Sequence, residues 1–391
     1  MQDVKTGEAQ ALREGMDRLK EILGQEWEVL PLNVVAPVGG NYVADPDTDM
    51  DIIWTIRNST GGGSYGQVLV EATSELTPAV AERVLTPQVN LMRRLHGQVA
   101  VLVIAPWLSP RTRTILERRG FGYLDLTGNV SLRLNQPAVM IKTEGAQRNP
   151  NPAKPGRRGL SGPQAGRLVR VLVDFKPPYF AKDLAVAAGI SEGYVSRLLD
   201  TMADEALITR EGRVIVEADW VGLLRARAQV YKVLRANHVV PMVARQGRSG
   251  VLEGLAHPSM RGQAAVTGPV AAHAVAPTAV GGQLMIYVRP GPHIIDEVAK
   301  HLALLRGDPE VGASSDVLLL APMSESVFDR TEPLEGTPGV ERVGLSLLVL
   351  DCLGGSGRMP AEGEALLTHM IDNVDAWRTH RVPTSDHSGL A

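Results

Sequence analysis

The stretch from Leu168 to Val216 admits few folds. Leu168, Val171, Leu172 and Phe175 recur at helical spacing, and Lys176-Pro177-Pro178 ends that helix because proline cannot extend the hydrogen-bond ladder. Ala181 to Ala188 is predicted as a short second helix, closed by Gly189, which takes a left-handed turn without steric cost. Ser191 stands where a hydroxyl can cap the free backbone N–H groups of a third helix. In that third helix Val195, Leu198, Leu199 and Met202 share the inward face, which turns Glu192, Gly193, Tyr194, Ser196, Arg197 and Asp200 outward. Leu207 to Arg210 and Arg213 to Val216 then read as two strands of a hairpin around Glu211-Gly212.

A helix, a glycine turn, a second helix and a hairpin in this order resemble the winged helix-turn-helix of bacterial regulators. The resemblance implies sequence-specific binding of double-stranded DNA and regulation of transcription. The polar side of the third helix, near its N-terminus, is the part that enters a major groove. Arg197 suits a bidentate contact with guanine, with Tyr194 and Ser196 beside it. Arg210 and Arg213 of the hairpin are the candidates for phosphate, and Lys182 and Ser191 are further DNA-contact candidates. From Gly145 to Val173 the chain carries Arg148, Lys154, Arg157, Arg158, Arg167 and Arg170 with no acidic residue, so Arg157, Arg158 and Arg167 join the DNA-contact candidates. A winged helix used only for protein contacts is the alternative.

Length and composition set the frame. A chain of 391 residues exceeds one ordinary core, and three domains are expected. Apolar residues at 44% and charged residues at 21% are globular proportions, while a net charge of −3 gives no whole-molecule attraction to nucleic acid. The single cysteine, Cys352, excludes an internal disulfide, and the charged N-terminal stretch lacks the apolar core of a signal peptide, so a cytoplasmic location is expected. No apolar run reaches the roughly 18 residues a membrane helix needs. The nine histidines show no ligand spacing, so neither a metal nor another cofactor is expected.

Residues 1–147 alternate helices and strands. Gln10 to Leu23 reads as an amphipathic helix, Asp51 to Ile56 and Gln67 to Ala72 as strands joined by a glycine-rich hairpin, and Val99 to Ala105 as a buried strand. Pro78 to Leu95 and Ser109 to Arg119 read as helices, and Gly122 to Leu126 and Val130 to Leu134 as a further strand pair completing a mixed sheet. Asp51 on one strand and Glu71 at the end of the next resemble the restriction-endonuclease fold, whose Asp…Glu-x-Lys motif holds Mg²⁺ and activates water. Here the last position is Thr73, so the resemblance implies a fold without nuclease activity. An active Mg-dependent nuclease targeted by the winged helix is the alternative, with Lys142 the one candidate to replace the missing ammonium. Asp45, Asp47, Asp49 and Asp51 also read as a solvated loop cluster, and Gly61-Gly62-Gly63 lacks the Gly-Lys-Ser/Thr of a phosphate loop and reads as a hairpin tip.

Residues 148–159, dense in proline, glycine and positive charge, read as a linker, residues 160–222 as the winged helix, and residues 223–378 as a C-terminal α/β domain. In that domain Val317 to Leu320 and Leu345 to Leu350 read as strands, Glu362 to Trp377 as a final helix, and 379–391 as a disordered tail. Ala264 to His273, Leu284 to Val288, Leu350 to Leu353 and Arg358 to Leu367, placed after a winged helix, are similar to abortive-infection type IV antitoxin-like (AbiEi-like) regulators. The likeness runs from Leu160 to Trp377. It implies a DNA-binding regulator with a possible toxin partner. A homodimer is expected, together with an effector that is a small molecule, a nucleic acid or a protein. A nucleotidyltransferase needs a Gly-Ser turn followed by an Asp-x-Asp strand pair for two metals, and this segment has no Gly-Ser so followed. Gly254, Gly268 and Asp351 read as turn and strand-end residues, and a non-enzymatic chain is expected.

Overall fold

The structure, a computed structural model, describes residues 2–32, 52–59, 65–83, 99–147, 149–150, 159–277, 281–307 and 315–379. It is a mixed α and β protein with two compact units, Met1–Gly156 with Asp204–Ala206, and the remainder.

The first unit contains α1 (Gln2–Leu23), β1 (Trp27–Leu32), β2 (Ile52–Asn58), β3 (Tyr65–Ala72), α2 (Pro78–Arg83), β4 (Ala100–Ala105), α3 (Pro110–Arg118), β5 (Gly122–Asp125), β6 (Val130–Leu134) and β7 (Val139–Thr143). Its seven strands lie in sequence order in one sheet, antiparallel from β1 to β3, parallel from β3 to β5 and antiparallel again to β7. Side-chain alternation divides the core between the two faces. Trp54, Val68, Val70, Leu102 and Ile104 pack under α1 with Ala11 and Leu19, while Ile53, Leu69, Val101 and Val103 pack with Leu116 of α3. This explains why β4 is apolar at every position: both its faces are covered. Ser109 caps α3 through the Thr112 N–H at 3.0 Å, and Gly120 beyond its end takes φ 72°. Buried Asp125 then pins the chain after β5, accepting from the Leu108 and Asn129 backbone N–H groups at 3.1 and 3.0 Å.

The second unit begins with α4 (Pro163–Asp174), β8 (Tyr179–Phe180), α5 (Ala181–Ala188), α6 (Glu192–Asp204), β9 (Ile208–Glu211), β10 (Val214–Ala218) and α7 (Trp220–Val230). There follow α8 (Val233–Ala236), β11 (Asn237–Ala244), α9 (Gly247–Leu255), β12 (Ala264–Thr267), α10 (Gly268–Val275), β13 (Leu284–Val288), α11 (Ile294–His301), β14 (Leu304–Arg306) and β15 (Val317–Pro322). The chain closes with β16 (Glu332–Pro333), β17 (Glu341–Arg342), α12 (Leu345–Leu353), α13 (Met359–Asp372) and α14 (Val374–Trp377). A seven-stranded sheet in the order β14-β11-β15-β13-β12-β17-β16 carries the C-terminal part. One hydrophobic cluster runs from Leu160 to Met370, so the segments 160–222 and 223–378 share a core rather than forming two.

Three readings of the C-terminal segment are corrected. Leu345–Leu353 is a helix, not a strand. The run is apolar all round because α12 packs against α4, α7, α10 and α13, and a short fully buried segment has no period to betray its type. Leucine also favours the helix. The predicted final helix is two, α13 and α14, broken at Asn373. Finally, Thr379 does not open a tail. It bridges to Phe175, its N–H donating to the Asp174 carbonyl at 3.1 Å and its carbonyl accepting from the Lys176 N–H at 2.7 Å. Residues 380–391 lie outside the described residues, as do most of the linker and residues 84–95 of the predicted Pro78–Leu95 helix.

Candidate nucleic-acid interface

The corner between α5 and α6 follows from Gly189. Its backbone is left-handed at φ 60°, ψ 45°, and the Ile190 N–H returns to the Ala185 carbonyl at 3.0 Å, so the open carbonyls of α5 are satisfied as the chain turns. The Ser191 carbonyl then accepts from the Tyr194 and Val195 N–H groups, both at 3.0 Å, and α6 starts. Val195, Leu198, Leu199 and Met202 are buried, which fixes the rotation of α6. Ser191, Ser196 and Arg197 are therefore exposed with Glu192, Gly193 and Asp200, while Tyr194 is half-buried. The Arg197 guanidinium lies 5.8 Å from the Tyr194 ring centroid, a cation–π contact that holds the arginine along the helix face.

The wing has three strands in the order β8-β10-β9, and Gly212 turns its tip at φ 60°. Arg213 at the tip is exposed. Arg210 is half-buried and donates to the Asp200 carboxylate at 2.8 Å, so α6 and the wing are tied together and any phosphate competes with Asp200 for this guanidinium. Lys182 on α5 is exposed. Arg167 is half-buried on α4, and a methyl group on Gly189 would stand 3.7 Å from its Nη1, which places the guanidinium beside the turn. Arg170 instead donates to the Ser326 carbonyl at 2.6 Å and is engaged within the unit. Arg148, Lys154, Arg157 and Arg158 lie outside the described residues.

Two features escape sequence patterns. Strand β8 is two residues long, too short to show alternation. The buried Tyr179 on it donates to the Leu172 carbonyl at 3.0 Å, its phenol pushed up to about 12 mainly by burial. From the other end of the chain, Arg378 donates to the Leu172 and Val173 carbonyls at 3.0 and 2.9 Å and to the Tyr179 hydroxyl at 3.1 Å. The open end of α4 is thus closed by a residue no local pattern identifies.

The other candidates fare differently. Glu71 lies on β3 opposite Val103, and Thr73 donates its N–H to the Ile104 carbonyl at 2.9 Å and its hydroxyl to the Glu75 carbonyl at 3.0 Å. Asp51, Asp45, Asp47, Asp49 and Gly61 to Gly63 lie outside the described residues. Lys142 cannot replace the missing ammonium. It sits on β7 across from Ser131 of β6, 3.2 Å from Glu117, and three strands separate β7 from β3, a gap of roughly 19 Å at ordinary strand spacing.

Asp351, read as a strand-end residue, is a buried member of α12. Its carboxylate accepts from the hydroxyls of Thr267 and Tyr231, both at 2.7 Å, and of Tyr287 at 3.2 Å. Burial pushes this carboxyl up to about 6 against the pull of those donors. Gly254 lies within α9, and Gly268 begins α10 at φ 66°. Among the described residues, no three His, Cys, Asp or Glu side chains form a metal site, and no helix is long and apolar enough to cross a membrane.

No protein-family model matches this chain, and no curated protein or solved structure matches it.

Proposed function

We propose that the chain is a sequence-specific duplex-DNA-binding protein that regulates transcription, reading base edges with α6 and holding the backbone with the wing. The observation that carries this proposal is the α5–Gly189–α6 corner, whose second helix is fixed by four buried side chains and presents Tyr194, Ser196 and Arg197 to solvent. A base-reading side chain gains most when it is aimed before contact, and Arg197 is already ordered over Tyr194. A bidentate arginine–guanine contact is worth about 1–3 kcal/mol of discrimination. The net charge of −3 opposes general adhesion to DNA, so binding rests on the local set Lys182, Arg197 and Arg213, with Arg210 shared with Asp200.

Such a regulator acts in the cytoplasm without enzymatic turnover, as a homodimer on half-sites roughly 34–36 Å apart. Selection of duplexes from a randomised library by the purified full chain tests it. The expected outcome is a recurring motif bound far more tightly than a scrambled duplex. Recovery of no motif would refute the proposal.

A further inference from the structure

Gly193 is not explained by any contact among the described residues. It stands second in α6, and a glycine within a helix destabilises it relative to alanine because more backbone freedom is lost. Four other helical glycines have visible reasons. A methyl group on Gly15, Gly166, Gly254 or Gly363 would stand 2.8, 3.1, 2.8 and 2.8 Å from Ile104, Arg227, Leu302 and Leu353 respectively. At Gly193 such a methyl group meets nothing within 4 Å, and the backbone φ lies outside the left-handed region. Neither packing nor backbone conformation asks for glycine there. The remaining physical use of the residue is close approach of backbone to something outside the chain.

Its neighbour Glu192 sharpens this. Glu192 is exposed, at the first position of α6, and forms no ion pair or side-chain hydrogen bond among the described residues. Asp200, the other carboxylate on this face, is occupied by Arg210 at 2.8 Å. A free carboxylate on a groove-facing helix is repelled by phosphate, and it is accommodated where it meets a hydrogen-bond donor. In the major groove the matching donor is the amino group of cytosine.

We propose that the α6 backbone lies against the base edges at Gly193, and that Glu192 there accepts a hydrogen bond from a cytosine amino group. The proposal rests on the DNA-reading role of α6 given above. Glu192 and Arg197 are five residues apart, about 7.5 Å along the helix. That span matches roughly two base-pair steps of 3.4 Å, so the preferred site holds a cytosine and a guanine within two or three positions of each other.

The test uses the full chain, a duplex selected by the wild type, and a scrambled duplex. Gly193→Ala should unfold at the same or a higher urea concentration than the wild type, yet bind the selected duplex at least tenfold more weakly with scrambled binding unchanged. A merely structural role would move folding and binding together. Glu192→Gln should exchange the preference at one position from cytosine to adenine, the base that a glutamine amide matches. Wild-type binding of the selected duplex by Gly193→Ala, or unaltered preferences in Glu192→Gln, overturns this proposal while leaving the DNA-reading role intact. A wild-type chain that selects no duplex overturns both.

Discussion

Arg378 and Tyr179 meet in a hydrogen bond of 3.1 Å although 199 residues separate them in the chain. Beside it, Trp377 packs edge-on against Trp220 with ring centroids 5.1 Å apart, and Lys176 reaches Asp375 at 2.5 Å. The last described residues therefore brace the back of the winged helix. Arg378 closes the C-terminal end of α4, and α4 packs in turn on α5 and α7 of the same unit.

Arg378→Ala removes the side-chain donor of the buried Val173 carbonyl, at about 1–3 kcal/mol, while Tyr179 still donates to the Leu172 carbonyl. The urea midpoint should fall accordingly, and amide exchange should quicken in α4. The isolated segment 160–220, deprived of Trp377, Arg378 and the shared core, should not fold by itself. An unchanged midpoint in the variant, or a cooperative unfolding transition in the fragment, would remove the brace from the account.

Asp351 supplies a pH dependence with a defined sign. Its ordinary carboxyl value of 3.8 rises to about 6 in the folded chain, where burial outweighs three hydroxyl donors. The folded state holds this proton more tightly than the unfolded state does. The contribution to stability is therefore fully present below about pH 4 and lost as pH rises through about 6, on the order of 3 kcal/mol in all. Asp351→Asn lacks that component. Urea titrations at about pH 4 and pH 7 should show the gap between variant and wild type shifting in favour of the variant at the higher pH. A gap independent of pH would place the Asp351 proton elsewhere.

The first unit should not cut DNA. Thr73 carries no ammonium, its hydroxyl is committed to the Glu75 carbonyl, and Lys142 is on a distant strand. Plasmid and linear duplex should stay intact for hours with Mg²⁺ or Mn²⁺. Divalent-dependent cleavage that disappears in Glu71→Ala would show that the unit is a working nuclease.

The elements of the candidate site were legible because each is set by local chemistry. Gly189 announces a left-handed turn, Ala181–Ala188 is a helix with the bounds its spacing implies, and Val195, Leu198, Leu199 and Met202 form one face by periodicity alone. What escaped depends on distant partners. Strand β8 exists because Ile215 and Val214 of β10 pair with Tyr179 and Phe180. Leu345–Leu353 is helical because helices surround it, and Thr379 is ordered because Asp174 and Lys176 receive it. Asp351 stood in an apolar run with nothing nearby in sequence to show that Thr267, Tyr231 and Tyr287 converge on it.

The most direct measurement of whether α6 reads sequence and the wing holds phosphate is fluorescence anisotropy of the full chain on selected and scrambled duplexes over a series of salt concentrations. Arg197→Ala should weaken the selected duplex by about 1–3 kcal/mol and leave the scrambled one nearly unchanged, so that the specificity ratio falls. Arg213→Ala should weaken both duplexes about equally and reduce the salt slope by about one. Binding unaffected by either substitution would contradict the assignment of the winged helix as the DNA-reading element.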